Sequence, residues 1–163
     1  MKTVLTAEEM RALERACFSR GMRSIDAMER AAEAVVDVLN RRLAPGSTVC
    51  FACGPGNNGG DGFAAARLYA LAGGRSVAVP ACEAAKLSGD ARTNYERAMN
   101  TPRVWFREAA EPFERPRAWV DAMFGTGLSR PADGAIAALI ARMQADRRAG
   151  SLVVAADVPS GLD

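Results

Sequence analysis

Between residues 47 and 156 the chain repeats one pattern, a short apolar run followed by a turn and then a longer stretch with helical periodicity. Residues 47–53, 75–80, 103–106, 118–124 and 151–156 read as strands, and residues 61–72, 89–100 and 134–149 as helices. The strands are apolar throughout instead of alternating with polar residues, as expected for strands buried on both faces of a parallel sheet. Parallel neighbours need crossover connections, and the helices that supply them cover both faces. The expected fold class is α/β: a three-layer αβα sandwich, Rossmann-like, with a mostly parallel sheet.

Two helices should precede the first strand. Thr6-Ala7-Glu8-Glu9 forms a capping box, and Met10, Leu13 and Cys17 recur on one face before Gly21. A second helix is expected to start near Asp26, with Glu29 three residues on and Met28, Ala32, Val35 and Leu39 on one face, ending at Pro45-Gly46. Both are expected to pack on the sheet formed later. Residues 107–117, with Pro112 and Pro116 among charges, read as a surface excursion. No repeat or low-complexity tract divides residues 1–163, which read as one domain.

Composition removes several chemistries. The chain has no histidine, which excludes Ser-His-Asp and Cys-His nucleophiles, a histidine base and any zinc site that needs one. Lys2 and Lys86 are the lysines, and neither Tyr69 nor Tyr95 has a lysine four residues on, so a Schiff base and a Tyr-x-x-x-Lys proton relay have almost no candidates. The 21 basic and 19 acidic residues give net charge +2 without a block of like charge, so nucleic acid is not an expected partner. No apolar run approaches the roughly 18 residues of a membrane span, and no signal peptide opens the chain, so the expectation is no membrane association and a cytoplasmic location. Cys50-Phe51-Ala52-Cys53 has C-x-x-C spacing but falls within a strand, whereas the redox motif opens a helix; these thiols read as core.

In an open parallel sheet the ligand lies beyond the carboxyl ends of the strands, and three loops there are unusual. The first, Gly54-Pro55-Gly56-Asn57-Asn58-Gly59-Gly60-Asp61-Gly62, joins a strand to a helix. Its glycines should allow close backbone approach and positive φ, and the N–H groups at the helix start suit a phosphate. The plainer alternative is a tight turn with Asp61 as the helix cap. The second runs from Asp121 through Gly125-Thr126-Gly127 to Arg130-Pro131. An aspartate in an apolar strand must be paired or bound to a cation, or must cap nearby amides. The third is Asp157-Val158-Pro159-Ser160-Gly161, which puts a carboxylate at a strand's end; an Asx or proline turn is the alternative there. Together the loops offer phosphate nests, the oxygen side chains of Asn58, Asp121 and Ser160, and the Asp157 carboxylate.

These three strings, 54–62, 121–128 and 157–161, together with Met28-Glu29-Arg30-Ala31 in the N-terminal helical pair, resemble the YjeF N-terminal domain family, the NAD(P)HX epimerases. The resemblance covers nearly the whole chain. It implies interconversion of the R and S forms of NADH or NADPH hydrated at C6 of the nicotinamide, with the dinucleotide as substrate and not as cofactor. It implies that Asn57, Asn58, Gly59, Gly60 and Asp61, with Gly125, Thr126, Gly127, Leu128, Ser129, Arg130 and Pro131, hold that substrate. Asp157 would contact its hydrated nicotinamide end and serve as acid-base group. Asn58, Asp121 and Ser160 would bind one potassium ion (K+) per subunit. A homodimer is implied, as is a separate or fused dehydratase acting on the S form. The family's domain continues past its Pro-Ser-Gly motif, so the chain is expected to be incomplete at its C-terminus. Two other readings stand beside this one: a non-catalytic dimerising scaffold of the same fold, and a dinucleotide-dependent oxidoreductase, which Glu83 near a ribose-binding position would suit but for which no hydride-transfer partner is evident.

Overall fold

The computed structural model describes residues 6–125 and 134–160. Its elements in chain order are α1 (Ala7–Ser19), α2 (Ser24–Arg42), β1 (Thr48–Cys53), α3 (Asn57–Leu71), β2 (Arg75–Pro80), α4 (Gly89–Met99), β3 (Val104–Phe106), β4 (Ala118–Ala122), α5 (Gly134–Arg148) and β5 (Leu152–Ala155). A single 3-10 turn at Ala84–Lys86 follows β2. The five strands form one sheet in the order β3-β2-β1-β4-β5, and every pairing between them is parallel. Chain direction therefore reverses its progress at β1, with β2 on one side and β4 on the other.

The sheet has a separate apolar layer on each face because strand side chains alternate. Val49, Phe51 and Cys53 of β1 join Phe63, Ala64 and Tyr69 of α3, Ala98 of α4 and the inner side of α2. Cys50 and Ala52 point the other way, into a cluster with Trp119 of β4 and Leu139 and Met143 of α5. Phe51, Phe63 and Trp119 are fully buried, and each contributes on the order of 1.5–3 kcal/mol by leaving water. Residues 107–117 do run over the surface between β3 and β4. They are held to α5 by Arg142, whose guanidinium lies 3.6 Å over the Phe113 ring and donates to the carbonyls of Glu111 at 3.0 Å and Phe113 at 2.8 Å.

Local sequence explains most element ends, with three differences. The Thr6 hydroxyl accepts from the Glu9 N–H, and the Glu9 carboxylate accepts from the Thr6 N–H, so the capping box of α1 forms as read. The apolar side of α1 is not buried on the sheet, however: Met10, Leu13 and Phe18 are exposed. Helix α2 starts two residues before Asp26, with Arg23 as its cap position, and Asp26 in its first turn makes an ion pair with the Arg23 guanidinium. Its inner face, Met28, Ala32, Val35 and Leu39, is buried as the periodicity requires. Helix α3 starts at Asn57, well ahead of Asp61, so two thirds of the glycine-rich string 54–62 is helix.

Candidate active site

The site begins at the carboxyl end of β1. The Gly54 N–H donates to the Ala122 carbonyl at 3.0 Å, tying the end of β1 to the end of β4, and α3 starts three residues later. A helix start presents N–H groups with no intrahelical acceptor together with the positive end of the helix dipole. This one stands where strand order reverses, the place at which open α/β sheets take their ligands.

None of the glycines at 54–62 has positive φ, contrary to expectation. They are needed for close approach instead. A Cβ on Gly59 would lie 1.8 Å from the Gly54 carbonyl oxygen, and one on Gly54 would lie 1.9 Å from that of Met123. Backbone packs directly on backbone here, so the first turn of α3 is pressed onto the ends of β1 and β4. Asp61, half-buried in the second turn of α3, is not the helix cap; that position belongs to Gly56.

Beyond β4 and β5 the side chains interlock. Asp121 is 3% exposed, and its carboxylate accepts from the Ser160 N–H at 2.7 Å, the Ser160 hydroxyl at 2.6 Å and the Met123 N–H at 3.3 Å. An unpaired buried carboxylate would cost several kcal/mol, which these bonds offset. The capping alternative for Asp121 is thus realised, with Ser160 as its main partner. The Ser160 hydroxyl also accepts from the Phe124 N–H at 3.1 Å, while the Phe124 carbonyl accepts from Asn58 Nδ2 at 2.6 Å. The backbone of Phe124 therefore joins Asn58 to the Asp121–Ser160 pair.

Asn58 Oδ1 is buried and has no hydrogen-bond partner. A buried acceptor oxygen in that state, on a set whose side chains all offer oxygen, suits a hard cation. Among the described residues no group of three His, Cys, Asp or Glu side chains gathers as a metal site. Asp157, beyond β5, is exposed and its carboxylate lies against Gly125: a Cβ there would come within 2.6 Å of Asp157 Oδ2 and 3.7 Å of Asn58 Cβ. Asn58, Asp121, Gly125, Asp157 and Ser160 are thus brought to one place. Asn57, exposed, and the buried Gly59 and Gly60 form the first turn of α3 beside them. Thr126, Gly127, Leu128, Ser129, Arg130 and Pro131 lie outside the described residues, as does Gly161.

The sequence reading missed several supports. Phe124 acts through its backbone and carries no side-chain signal. Met28 packs on the first turn of α3, since a Cβ on Gly60 would lie 2.8 Å from its Sδ. Asn94 Nδ2 donates to the same sulfur at 3.4 Å. Arg67 of α3 pairs with Glu29 of α2, both partly buried. Glu29 stood in the quoted helical pair, so that string could have pointed to the α2–α3 brace.

Fold and site together define a parallel α/β domain with a helix start at the point where strand order reverses and buried oxygen groups beside it. The sequence pattern described as YjeF-related protein N-terminus matches residues 24–163, and the chain belongs to that family. It is 38% identical to an NAD(P)H-hydrate epimerase of Rhodobacter capsulatus, over all of this chain and 79% of that one. Identity to the NAD(P)H-hydrate epimerase of Roseobacter litoralis is 37%, over 99% of this chain and 80% of that one. A bifunctional NAD(P)H-hydrate repair enzyme of Thermofilum pendens is 33% identical over 98% of this chain and 31% of its own. The fold matches a crystal structure of yeast ynu0 with TM-score 0.80 at 23% identity, covering 99% of this chain and 72% of that one.

Proposed function

We propose that the chain epimerises the R and S forms of hydrated NADH and NADPH at C6 of the nicotinamide ring, a repair reaction on damaged dinucleotides. The observation that carries the reading is the Asp157 carboxylate resting against Gly125, next to Asn58 at the start of α3. A dinucleotide whose pyrophosphate takes the N–H groups of residues 57–59, which precede the first intrahelical bond from Gly60 to Gly56, would have its nicotinamide end toward β4 and β5, where Asp157 stands. Membership of the family and the names of its relatives support the same reaction.

Asp157 passes a proton to and from the oxygen on C6. If that oxygen leaves as water, the ring nitrogen lone pair forms the C6–N1 double bond, and water later adds while its proton returns to Asp157. If instead the C6–N1 bond opens, Asp157 takes the C6 hydroxyl proton and delivers it to N1, which keeps the pair of the broken bond, and C6 is an aldehyde until the ring closes by the reverse transfer. In both routes C6 becomes planar and its configuration is lost, with no change in redox state. Residues 57–61 and Gly125 bind and orient the substrate, and residues 126–131 belong to the same substrate-binding set by the family resemblance. Asn58, Asp121 and Ser160 would hold potassium, which would supply fixed positive charge at the site. The protein is read as a single domain, residues 1–163, acting as a homodimer in the cytoplasm beside a dehydratase that consumes the S epimer.

The test is incubation of the chain with separated NADHX epimers. Equilibration of R and S without gain or loss of reduced nicotinamide supports the proposal; epimers that persist at their uncatalysed rate refute it. Hydride transfer to a second substrate would replace it with the oxidoreductase reading.

A further inference from the structure

A cavity of about 820 Å³ opens at the carboxyl ends of β2 and β3, bounded on its far side by the start of α5. Its size is that of a small-molecule site. Tyr95 and Phe106 form an aromatic wall, their rings edge to face with centroids 5.2 Å apart. Glu83, Lys86, Arg107 and Glu108 supply charge around it. The cavity is next to the anion-binding helix start: Ala81, on its lining, donates its N–H to the Cys53 carbonyl at 2.8 Å, immediately before Gly54.

Strand order then sets the direction of a bound dinucleotide. Neighbouring strands are about 4.8 Å apart. With the pyrophosphate at the end of β1 and the reacting nicotinamide at Asp157 beyond β5, one half of the molecule crosses β4 and β5. The other half has to run the opposite way, over β2 and β3, where the cavity lies. An aromatic wall with polar groups at its rim matches a purine attached to a ribose, because a purine stacks on or packs edgewise against aromatic rings while ribose hydroxyls need polar partners.

We infer that this cavity binds the adenosine half of the dinucleotide, the purine against Tyr95 and Phe106 and the ribose toward the charged rim. The inference rests on the dinucleotide-epimerase reading for the direction of the chain of atoms, though not for the cavity itself. Cys82 lines the cavity and is partly exposed, while Cys50 and Cys53 are fully buried, so Cys82 can report on occupancy. In a Cys17→Ser background, alkylation of Cys82 should slow at least tenfold under saturating AMP and remain unchanged under nicotinamide mononucleotide.

Ala110 is an exposed lining residue, and Ala110→Trp would fill the cavity without entering the core. It should raise KM for NADHX at least tenfold with kcat within twofold of the parent. Unprotected Cys82 under AMP, or an unchanged KM in Ala110→Trp, overturns the subsite. Epimerisation with unprotected Cys82 removes the subsite and leaves the function. Protection without epimerisation removes the function and leaves a cavity for adenine nucleotides.

Discussion

Ser160 donates twice to Asp121, its backbone N–H to one carboxylate oxygen at 2.7 Å and its hydroxyl to the other at 2.6 Å. The pair ties the loop after β5 to the end of β4, and through Phe124 it reaches Asn58. Replacing Asp121 by Asn keeps the shape but removes the charge and turns one acceptor into a donor facing the Ser160 N–H. Hydrogen bonds to a charged group contribute about 1.5–3 kcal/mol. Asp121→Asn should therefore lower unfolding free energy by about that amount, measured by urea titration, whereas an unchanged midpoint would show that the pair is not a structural tie.

Asp157 is assigned acid-base work, and such groups contribute about 10²–10⁴-fold. Asp157→Asn should slow epimer equilibration by that factor while circular dichroism and melting temperature stay near the parent's. Parent-like rates would remove Asp157 from the reaction.

Three glycines separate site geometry from folding. Gly125→Ala puts a Cβ 2.6 Å from Asp157 Oδ2, the end of a side chain that can turn away. It should fold normally yet lose activity by roughly the same 10²–10⁴-fold, because the displaced carboxylate is the proposed proton carrier. Gly54→Ala and Gly59→Ala instead drive a methyl into backbone carbonyls at 1.9 and 1.8 Å, which cannot move independently. Overpacking costs about 1–3 kcal/mol and more where backbone must shift, so both should yield little native protein when soluble expression and unfolding are compared.

Alkaline pH should destabilise the fold. Burial pushes the Cys50 thiol up to about 12 and the Cys53 thiol well above its ordinary range; Tyr69 and Cys82 are also raised by burial. A folded-state pKa above the unfolded value means that the folded chain binds more protons between the two. The stabilisation is complete below about pH 9 and is lost as pH rises toward 12, by about 1.4 kcal/mol per pH unit for each fully shifted thiol. Urea midpoints from pH 8 to 11 check this, and a flat profile would contradict the burial of Cys50.

Arg142 should control the surface excursion. Arg142→Ala removes two hydrogen bonds and a ring contact, together about 1–3 kcal/mol. Hydrogen exchange should accelerate across residues 107–117 and leave β1 and β4 unchanged; equal protection would show that the excursion is held by other contacts.

The strands and all five helices were legible because parallel strands are apolar throughout and the stretches between them carry helical periodicity. The start of α3 was not. Asn57-Asn58-Gly59-Gly60 has poor helix propensity, and what makes it helical is backbone contact with Gly54, a long-range fact absent from local composition. The exposure of α1 was equally hidden, since its period matches that of a buried helix. Asn58, Asp121, Gly125, Asp157 and Ser160 could be named from their loops, while the hub between them is the peptide backbone of Phe124, where any residue type supplies the same N–H and carbonyl.

The strand order also has a consequence in time. Asn58 follows β1, Asp121 lies in β4 and Ser160 follows β5, so no contiguous stretch of chain can assemble their network. Contacts between residues so far apart in sequence form late, after shorter loops have closed. The layer that joins Cys50 to Trp119 and Met143 spans separations at least as long, so a nascent or refolding chain would complete that layer and its site together, and activity would appear only once β4 and β5 have docked on β1.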